Sequence, residues 1–515
     1  MMSEGFGSNG AVAGGQARVL GSHADRERTL ERLSSETFDL LVIGGGVIGS
    51  RIALEATMNG AKVAMVDSGD FAGATSSASS KLIHGGLRYL QMYDFRLVRE
   101  AHAERRALLD TLAPHLVTPL TFVMPVYKGG PHRASTIAAG MLAYAALSGF
   151  RHSKARMLGA RGVHKLVPPL KTEGMKAAGA YNDAQTFDSR LTLANVAAAA
   201  RSGAAVLNYL RVTELLMEGG RVVGARAGDL DIRARSVINA AGPWVDAVRL
   251  LEDPKAQPMA RLSKGVHLVL EPPDPWPWQA AVTTPLEGGR VSFAIPWEGM
   301  LVLGTTDTDY EADPANLSVD PEDVDTILRE ASISLPPEVV NRDRIRYTFA
   351  GLRVLARSEG STAKTPREEV IREGPGGMVS VAGGKLTTHR EIALKVLRHL
   401  DGFRSARLTS NPLPGAGKLP PRPAEVEPEV WKHLTHLYGD EASLVVQTGR
   451  LDRIHPRGTD VWGQVIHAID QEWAMTVDDI IRRRTTLEIR GQATPEVREA
   501  VGRMLASPGK VEVAR

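Results

Sequence analysis

The first patterned segment of the chain is a short apolar run that ends in glycines. Residues 38–46, FDLLVIGGG, are typical of a buried strand in a parallel sheet. Helical spacing of apolar residues follows and stops at Asn59-Gly60, which suits a helix C-cap, and residues 62–67 form a second strand. The pattern therefore predicts a β-α-β unit of about 30 residues.

Later segments predict further kinds of structure. Residues 235–244 and 378–400 each run from an apolar strand into a glycine turn, whereas 261–273 and 300–310 alternate as antiparallel strands do. A linker rich in Pro and Gly is predicted at 411–429, and helical periodicity follows it. We predict an α/β fold with a Rossmann-like domain, a second domain with a mixed or antiparallel sheet, and a C-terminal helical domain.

Composition narrows the class of protein without changing this picture. The 515 residues suggest about three domains. With 62 basic and 59 acidic residues the net charge is only +3, so we expect no nucleic-acid partner. The absence of cysteine excludes disulfides, iron–sulfur clusters, thiolate zinc sites and cysteine nucleophiles, and we expect no metal site.

The sequence also bears on location. It contains no uninterrupted apolar run of about 18 residues, so we expect no transmembrane helix. The first 22 or so residues are rich in Gly, Ser and Ala and lack the apolar core of a secretory signal. We therefore predict a disordered extension with a short charged helix over residues 1–37, and a cytoplasmic protein.

The strongest chemical signal is the spacing Gly44-x-Gly46-x-x-Gly49 between the first strand and the first helix, with Asp67 at the end of the second strand. Such glycines permit a tight turn, close approach of the backbone to a pyrophosphate, and close packing of the helix. The helix N-terminus offers N–H groups to phosphates, and Asp67 can accept hydrogen bonds from a ribose. This context predicts a dinucleotide site, with NAD and FAD both open at this point.

A second signal is the segment TSSASSKLIHGGLRYL at 75–90. It contains too many small polar residues for a packed element. It is suited to wrap a dinucleotide and to present His84, Arg88 and Tyr89 to a substrate. The alternative is a solvated serine-rich loop.

Two late glycine turns, at Ala241-Gly242-Pro243 and Gly383-Gly384-Lys385, follow apolar runs as the first glycine motif does. If the three strands share one parallel sheet, their turns meet at its carboxyl edge, where ligands bind. An extended cofactor contacted by discontinuous segments favours FAD over NAD. The alternative is a pair of ordinary turns between strand and helix.

Cationic residues are a further clue. Arg353, Arg367 and Lys385 flank apolar, strand-like runs, and arginine can bind phosphate oxygens in a bidentate way. The alternative for each is a surface position. His267 lies opposite the apolar face of its strand, where it is either a core or solvated residue or a catalytic base.

Several motifs in one order closely resemble the FAD-dependent glycerol-3-phosphate dehydrogenases of the quinone-linked, aerobic type. These motifs are GGGVIG, ATSSASSKLIHGGLRYL, GPWVD, KGVHLVL, GTTDTDY, GLRVL and VAGGKLTTHRE, and the resemblance continues to EWAMTVDDIIRRRTTL at 472–487. It implies a discontinuous FAD-binding domain within 38–410, at about 38–130, 180–260 and 345–410, with an inserted substrate domain at about 131–180 and 260–345. A helical cap domain is implied at 430–515, after the linker.

The motifs and the resemblance together give the expected site. Cofactor contacts are expected for Gly44, Gly46, Gly49, Asp67, Ser76, Ser77, Ser80, Lys81, Gly85, Gly86, Gly242, Gly384, Thr387 and Thr388. Substrate contacts are expected for His84, Arg88, Tyr89, Lys264 and Arg367, and catalytic roles for His267, Arg353 and Lys385. His267 is the first candidate for the base and His84 the second.

The resemblance implies oxidation of sn-glycerol 3-phosphate to dihydroxyacetone phosphate, with hydride passing from C2 to flavin N5 and electrons passing to membrane quinone. It implies a peripheral protein on the cytoplasmic face of the inner membrane, and we also consider a homodimer. The apolar segment 135–150 suits an interfacial helix or, equally, a buried core helix. The alternatives are a soluble flavin oxidase of glycerol 3-phosphate or of a small amine or amino acid, and a non-enzymatic dinucleotide-binding regulator.

Overall fold

The structure is a computed structural model that describes residues 20–86, 94–149, 155–274, 278–357 and 369–506. Its strands are β1 Thr37–Ile43, β2 Val63–Val66, β3 Leu82–Ile83, β4 Val117–Tyr127, β5 Arg156–Leu158, β6 Met175–Thr186, β7 Ala205–Leu207, β8 Val212–Glu218, β9 Arg221–Ala227, β10 Leu230–Asn239, β11 Ala260–Leu270, β12 Ala280–Pro285, β13 Val291–Trp297, β14 Met300–Gly304, β15 Thr308–Tyr310, β16 Ile345–Ala356, β17 Val370–Glu373 and β18 Val379–Ala382. Its α-helices are α1 His23–Ser35, α2 Val47–Met58, α3 Phe95–Ala107, α4 Ala134–Leu147, α5 Ala160–Leu166, α6 Asp188–Arg201, α7 Val245–Glu252, α8 Pro321–Ala331, α9 His389–Leu397, α10 Pro428–Tyr438, α11 Ala442–Val446, α12 Trp462–Gln471, α13 Val477–Asp479 and α14 Pro495–Ala506.

The first sheet has a parallel core. Strands β18, β10, β1, β2 and β7 are neighbours in that order and all run parallel, while β17 is antiparallel to β18 and the β8–β9 hairpin extends from β10. Strand β1 is buried on both faces, which explains its apolar run. Leu40 and Val42 pack with Ile52 of α2 in one core cluster, whereas Leu41 packs with Leu33 of α1 in another.

The second sheet is mixed. Its order is β15-β11-β14-β13-β12-β4-β6-β3, with β16 along β11 and β5 beside β6. Only the β12–β4 pair is parallel among the described pairs of this sheet. Strands β4 and β16 belong to it although the sequence analysis placed them in spans of the FAD-binding part. The approximate domain boundaries stay a prediction.

The C-terminal region, here residues 428–506, is helical as predicted, and no regular element occurs among residues 411–427. It includes a five-residue π-helical turn at Ile480–Arg484, which continues directly from α13. The predicted charged helix near the N-terminus is α1, whose N-cap Ser22 accepts a hydrogen bond from the Asp25 N–H. Residues 1–19 of the predicted extension lie outside the described residues. No described helix is both long and apolar enough to cross a membrane.

Candidate active site at the junction of the two sheets

The glycine motif forms a tight turn between β1 and α2. A Cβ atom on Gly49 would lie under 3.0 Å from the Gly44 carbonyl oxygen, closer than real Cβ contacts allow. Gly44 has φ +109°, and a Cβ there would lie 2.5 Å from the Ala240 carbonyl oxygen. Glycine is therefore required at both positions to bring the start of α2 against the ends of β1 and β10.

Asp67 braces this turn. Its Oδ2 accepts a hydrogen bond of 2.6 Å from the Gly45 N–H, and its Oδ1 accepts one of 2.8 Å from the Gly69 N–H. Burial raises the pKa of Asp67 to about 6, although the two backbone donors favour the charged form. In this structure the carboxylate thus stabilises the turn that the sequence analysis assigned to a dinucleotide.

A cavity of about 990 Å³ begins at this turn and extends to the second sheet. At one end it is lined by Gly46, Val47 and Ile48, so the N-terminus of α2 borders it. Gly242 and Gly384, which follow β10 and β18, also line it. The three glycine turns therefore meet at the carboxyl edge of the parallel strands, as ligand sites of such sheets do.

The serine-rich segment joins the two ends of this cavity. Ser76 Oγ accepts a hydrogen bond of 2.9 Å from the Val47 N–H at the start of α2. Ser80 Oγ lies 2.8 Å from Nε2 of His267 on β11. The His84 N–H donates to Thr387 Oγ1 at 3.1 Å, although the two residues are 303 positions apart. The described part of the segment, residues 75–86, therefore belongs to the site and is not a solvated loop.

Gly85 is held by a buried polar cluster. Its N–H donates to Asp183 Oδ1 at 3.1 Å, and the same carboxylate accepts from Tyr144 OH and forms an ion pair with Arg105. A Cβ on Gly85 would lie under 3.0 Å from the His102 ring and from the Tyr144 hydroxyl. The backbone at 84–86 is thus held in place by the side chains of Asp183, His102 and Tyr144.

His267 lies at the other end of the cavity. It is 3% exposed and stacks on Phe349, with ring centroids 4.8 Å apart. Burial, followed by the charges of Arg353 and Lys81, lowers the pKa of His267 to about 3. Its Nδ1 is buried and has no hydrogen-bond partner in the described structure. The imidazole is therefore neutral at physiological pH.

Arg353 shares the cavity with His267 because of strand register. β16 pairs antiparallel with β11 so that Phe349 lies opposite His267 and Arg353 lies opposite Ser263. Opposite residues of an antiparallel pair share a face. Arg353 donates to Thr305 Oγ1 at 2.8 Å and lies 3.5 Å from Asp307 Oδ1. The guanidinium is thus oriented by a hydroxyl and a carboxylate.

The structure brings many of the expected residues to the cavity and leaves others outside its lining. Those that line it are Gly46, Ser76, Ser80, His84, Gly86, Gly242, His267, Arg353, Gly384, Lys385 and Thr387. Those that do not are Gly44, Gly49, Asp67, Ser77, Lys81, Gly85, Lys264 and Thr388. Arg88, Tyr89 and Arg367 lie outside the described residues.

Two of the expected lysines are engaged elsewhere. Lys264 forms ion pairs with Asp320 at 2.5 Å and Asp323 at 2.8 Å, at the N-terminus of α8. Side chains alternate between the two faces of a strand, and Lys264 is three positions from His267, so the two side chains lie on opposite faces of β11. Lys81 forms an ion pair with Asp188 at 2.7 Å, and its charge is the third cause, after burial and Arg353, of the lowered pKa of His267. We therefore leave Lys264 out of the substrate site proposed below.

Sequence reasoning missed several polar side chains that line the cavity, among them Asp183, Arg290, Thr305 and Asp307. Arg290 donates to Glu330 at 3.0 Å and to the Thr305 carbonyl oxygen at 3.3 Å. Thr305 and Asp307 belong to the motif GTTDTDY, which was a usable signal. No local pattern distinguishes Arg290 or Asp183. Arg290 is oriented by Glu330, and Asp183 meets Tyr144 and Arg105, all of them distant in sequence.

Comparison with known proteins agrees with this arrangement. Residues 39–390 match the family model described as FAD dependent oxidoreductase, and residues 382–513 match the one described as C-terminal domain of alpha-glycerophosphate oxidase. A glycerol-3-phosphate dehydrogenase of Mycobacterium leprae is 40% identical over 400 residues, covering 76% of this chain and 68% of the relative. An aerobic glycerol-3-phosphate dehydrogenase of Staphylococcus haemolyticus is 37% identical, covering 73% and 69%.

A solved structure is also similar. The glycerol-3-phosphate dehydrogenase of Bacillus halodurans complexed with FAD has a TM-score of 0.73 and 28% identity, and the match covers 95% of this chain and 98% of that one. This chain belongs to the FAD-dependent glycerol-3-phosphate dehydrogenase family. The expected α/β fold, oxidoreductase class and FAD cofactor are confirmed.

Proposed function

We propose that this member of the family oxidises sn-glycerol 3-phosphate at C2 to dihydroxyacetone phosphate and passes the electrons to a membrane quinone. The observation that carries the proposal is one continuous cavity that has the glycine turns at one end and His267 and Arg353 at the other, with Lys385 also in its lining. A dinucleotide suits the first end and a small anion suits the second.

The residues at the first end fit FAD. Gly46 faces the cavity without a side chain, and the N-terminus of α2 offers backbone N–H groups to a pyrophosphate. We assign the turn that contains Gly46 to the ADP half, with Gly44, Gly49 and Asp67 holding that turn in shape. We assign the remainder of FAD to Ser76, Ser80, Gly86, Gly242, Gly384 and Thr387. Bound FAD would accept the hydride that leaves C2, while the protein supplies position and charge.

We assign His267 as the base that accepts the proton of the C2 hydroxyl. The ring is neutral, so it can accept a proton, and its Nε2 faces Ser80 Oγ, which also lines the cavity. Burial, and after it the positive charges of Arg353 and Lys81, lower the pKa of His267. A bound phosphate dianion would offset that charge and so raise the pKa, which makes the base stronger when substrate is present.

Arg353 is assigned to the developing negative charge on the C2 oxygen. Its guanidinium is oriented by Thr305 and Asp307 before substrate binds, and preorganised donors of this kind stabilise oxyanions. Lys385 follows the Gly384 turn and lines the cavity, so we assign it, with His84, to substrate binding. The same role is proposed for Arg88, Tyr89 and Arg367.

The quinone proposal is supported by helix α4, which lies between the cavity and the surface. Thr136 and Gly140 line the cavity, whereas Leu142 on the same helix is 63% exposed. An exposed apolar residue on a helix beside the redox site suits contact with a lipid surface. Flotation with anionic vesicles tests this, and a Leu142→Glu variant that floats as well as the parent protein would count against it.

The proposed reaction is tested by anaerobic titration of the purified holoenzyme with sn-glycerol 3-phosphate. We expect the absorbance of oxidised flavin to bleach stoichiometrically and to return on addition of a soluble quinone analogue. A flavin band that persists would overturn the substrate. Rapid peroxide formation in air, with slow quinone reduction, would favour the oxidase alternative over the quinone-linked enzyme.

A further inference from the structure

A buried ion-pair network connects the C-terminal region to the loop that follows β2. Asp70 is 4% exposed and lies three residues after Asp67. Its Oδ1 accepts a hydrogen bond of 2.9 Å from Arg484 Nη2, and its Oδ2 accepts one of 2.5 Å from Arg483 Nε and another from Arg484 Nη1. Two consecutive arginines, more than 410 positions away in sequence, therefore converge on one carboxylate.

Both arginines are themselves fixed. Arg484 is fully buried and also donates to the Glu472 carbonyl oxygen at 2.6 Å. Arg483 donates to Asp479 Oδ1 at 2.7 Å. They occupy the π-helical turn Ile480–Arg484, a rare element that is frequent at functional sites.

The loop that carries Asp70 supports the glycine turn directly. The Phe71 ring lies beneath Gly45, where a Cβ would come under 3.0 Å from it. The Ala72 N–H donates to the Gly45 carbonyl oxygen at 3.2 Å. On its other side, Phe71 meets Trp473 of the C-terminal region edge to face, with centroids 5.7 Å apart. The loop is thus held between the cofactor turn and the C-terminal region.

A network of buried charges is a costly way to join two parts of a protein, since well-packed apolar side chains can be as stabilising. What the network does provide is a defined position for the loop, because Arg483 and Arg484 hold the Asp70 carboxylate from fixed directions. We propose that Arg483 and Arg484 are positioning residues for the cofactor: by holding Asp70 they keep the 69–72 loop against the glycine turn, so that the C-terminal region contributes to FAD affinity without touching FAD. This rests on FAD as the cofactor and is independent of the proposed substrate.

The test compares two matched substitutions, Arg484→Lys and Arg490→Lys. Arg490 also joins the C-terminal region to a carboxylate elsewhere, since it donates to Glu298 Oε2 at 3.1 Å in the β13–β14 turn. Each variant is made as holoenzyme, stripped of FAD and titrated with FAD by flavin fluorescence, with melting temperature recorded. We expect Arg484→Lys to raise the Kd for FAD by about tenfold or more, and Arg490→Lys by less than about threefold.

Further readouts separate positioning from loss of folding. At saturating FAD, Arg484→Lys is expected to recover kcat to within about threefold of the parent protein, because the arginine lies outside the reacting groups. Equal Kd values for the two variants, whether both raised or both unchanged, would overturn the proposal. So would a raised Kd in Arg484→Lys with a kcat that saturating FAD does not restore.

The proposal also has a test that needs no variant. Coupling free energies are reciprocal, so FAD must stabilise the docked C-terminal region by as much as that region stabilises FAD. Hydrogen exchange of the unaltered protein is expected to show slower exchange at 473–484 when FAD is added to apoprotein, with less change at 428–446. Unchanged exchange at 473–484 would contradict the coupling, whatever the substrate proves to be.

Discussion

The two ends of the cavity are built from different parts of the protein chain. At the α2 end the lining includes the glycine turns after β1, β10 and β18, and the turn that begins α2, Gly44 to Gly49, is one contiguous segment. At the His267 end the lining is charged and polar side chains, which arrive from β11, β16 and the turn before β13. The α2 end depends on glycines, which have no side chain. The His267 end depends on specific side chains that the register between strands brings together.

The largest effect is expected from the backbone end. Gly49→Ala would place a Cβ against the Gly44 carbonyl oxygen. Because this neighbour is a backbone atom, it cannot move away without distorting the turn. We expect loss of most bound flavin and destabilisation of about 1–3 kcal/mol or more. The flavin-to-protein absorbance ratio and the melting temperature measure this. Gly402→Ala is the matched control, since among the described residues no atom beyond its two chain neighbours lies within 4 Å of the added Cβ. Loss of flavin in that variant too would show that the effect of Gly49→Ala does not come from the steric clash.

At the side-chain end, His267→Gln is expected to leave flavin content unchanged and to lower kcat/KM by about 10²–10⁴-fold, the usual range for loss of a general base. His115→Gln is the matched control. His115 also has a pKa lowered to about 3 by burial, but it does not line the cavity. A His267→Gln variant within tenfold of the parent protein would remove His267 as the base.

A smaller effect is expected in stability as a function of pH. The pKa of His267 is about 3 in the folded protein, against an ordinary value of 6.5. The contribution of His267 to the free energy of unfolding is therefore fully present above pH 6.5 and is lost as the pH falls toward 3. Between these values the unfolded chain binds the proton and the folded chain does not. We measure the free energy of unfolding by urea at several pH values and plot it against pH. Between pH 3 and 6.5 the slope of this plot should be smaller by about 1.4 kcal/mol per pH unit in His267→Gln than in the parent protein. An unchanged slope would mean that His267 is protonated in the fold.

The smallest effect on catalysis is expected at Lys264. Lys264→Met removes a cation only three residues from His267, yet its ammonium is bound to Asp320 and Asp323 on the other side of β11. We expect KM for sn-glycerol 3-phosphate to stay within about threefold, while the melting temperature falls. A large increase in KM with normal stability would show that Lys264 reaches the substrate after all.

Lys264 also shows how far sequence reasoning reached. The resemblance put Lys264 and His267 in one site, but residues 264 and 267 have opposite parity on a strand and cannot share a face. The alternation that placed His267 opposite Val266 and Leu268 already contained this information. Arg290 carried no comparable signal, because its position depends on how β13 lies beside β14.

The sequence by itself determined the β-α-β unit, the glycine turn at its centre and a dinucleotide as the class of cofactor, because the apolar pattern and the glycine spacing that specify them lie within about 30 consecutive residues. The tertiary structure decided which charged side chains meet. Register between β11 and β16 placed Arg353 beside His267, and docking of residues 480–484 placed two arginines on Asp70. Such long-range pairings have no local pattern, since their free energy comes from partners that only the complete fold brings into contact.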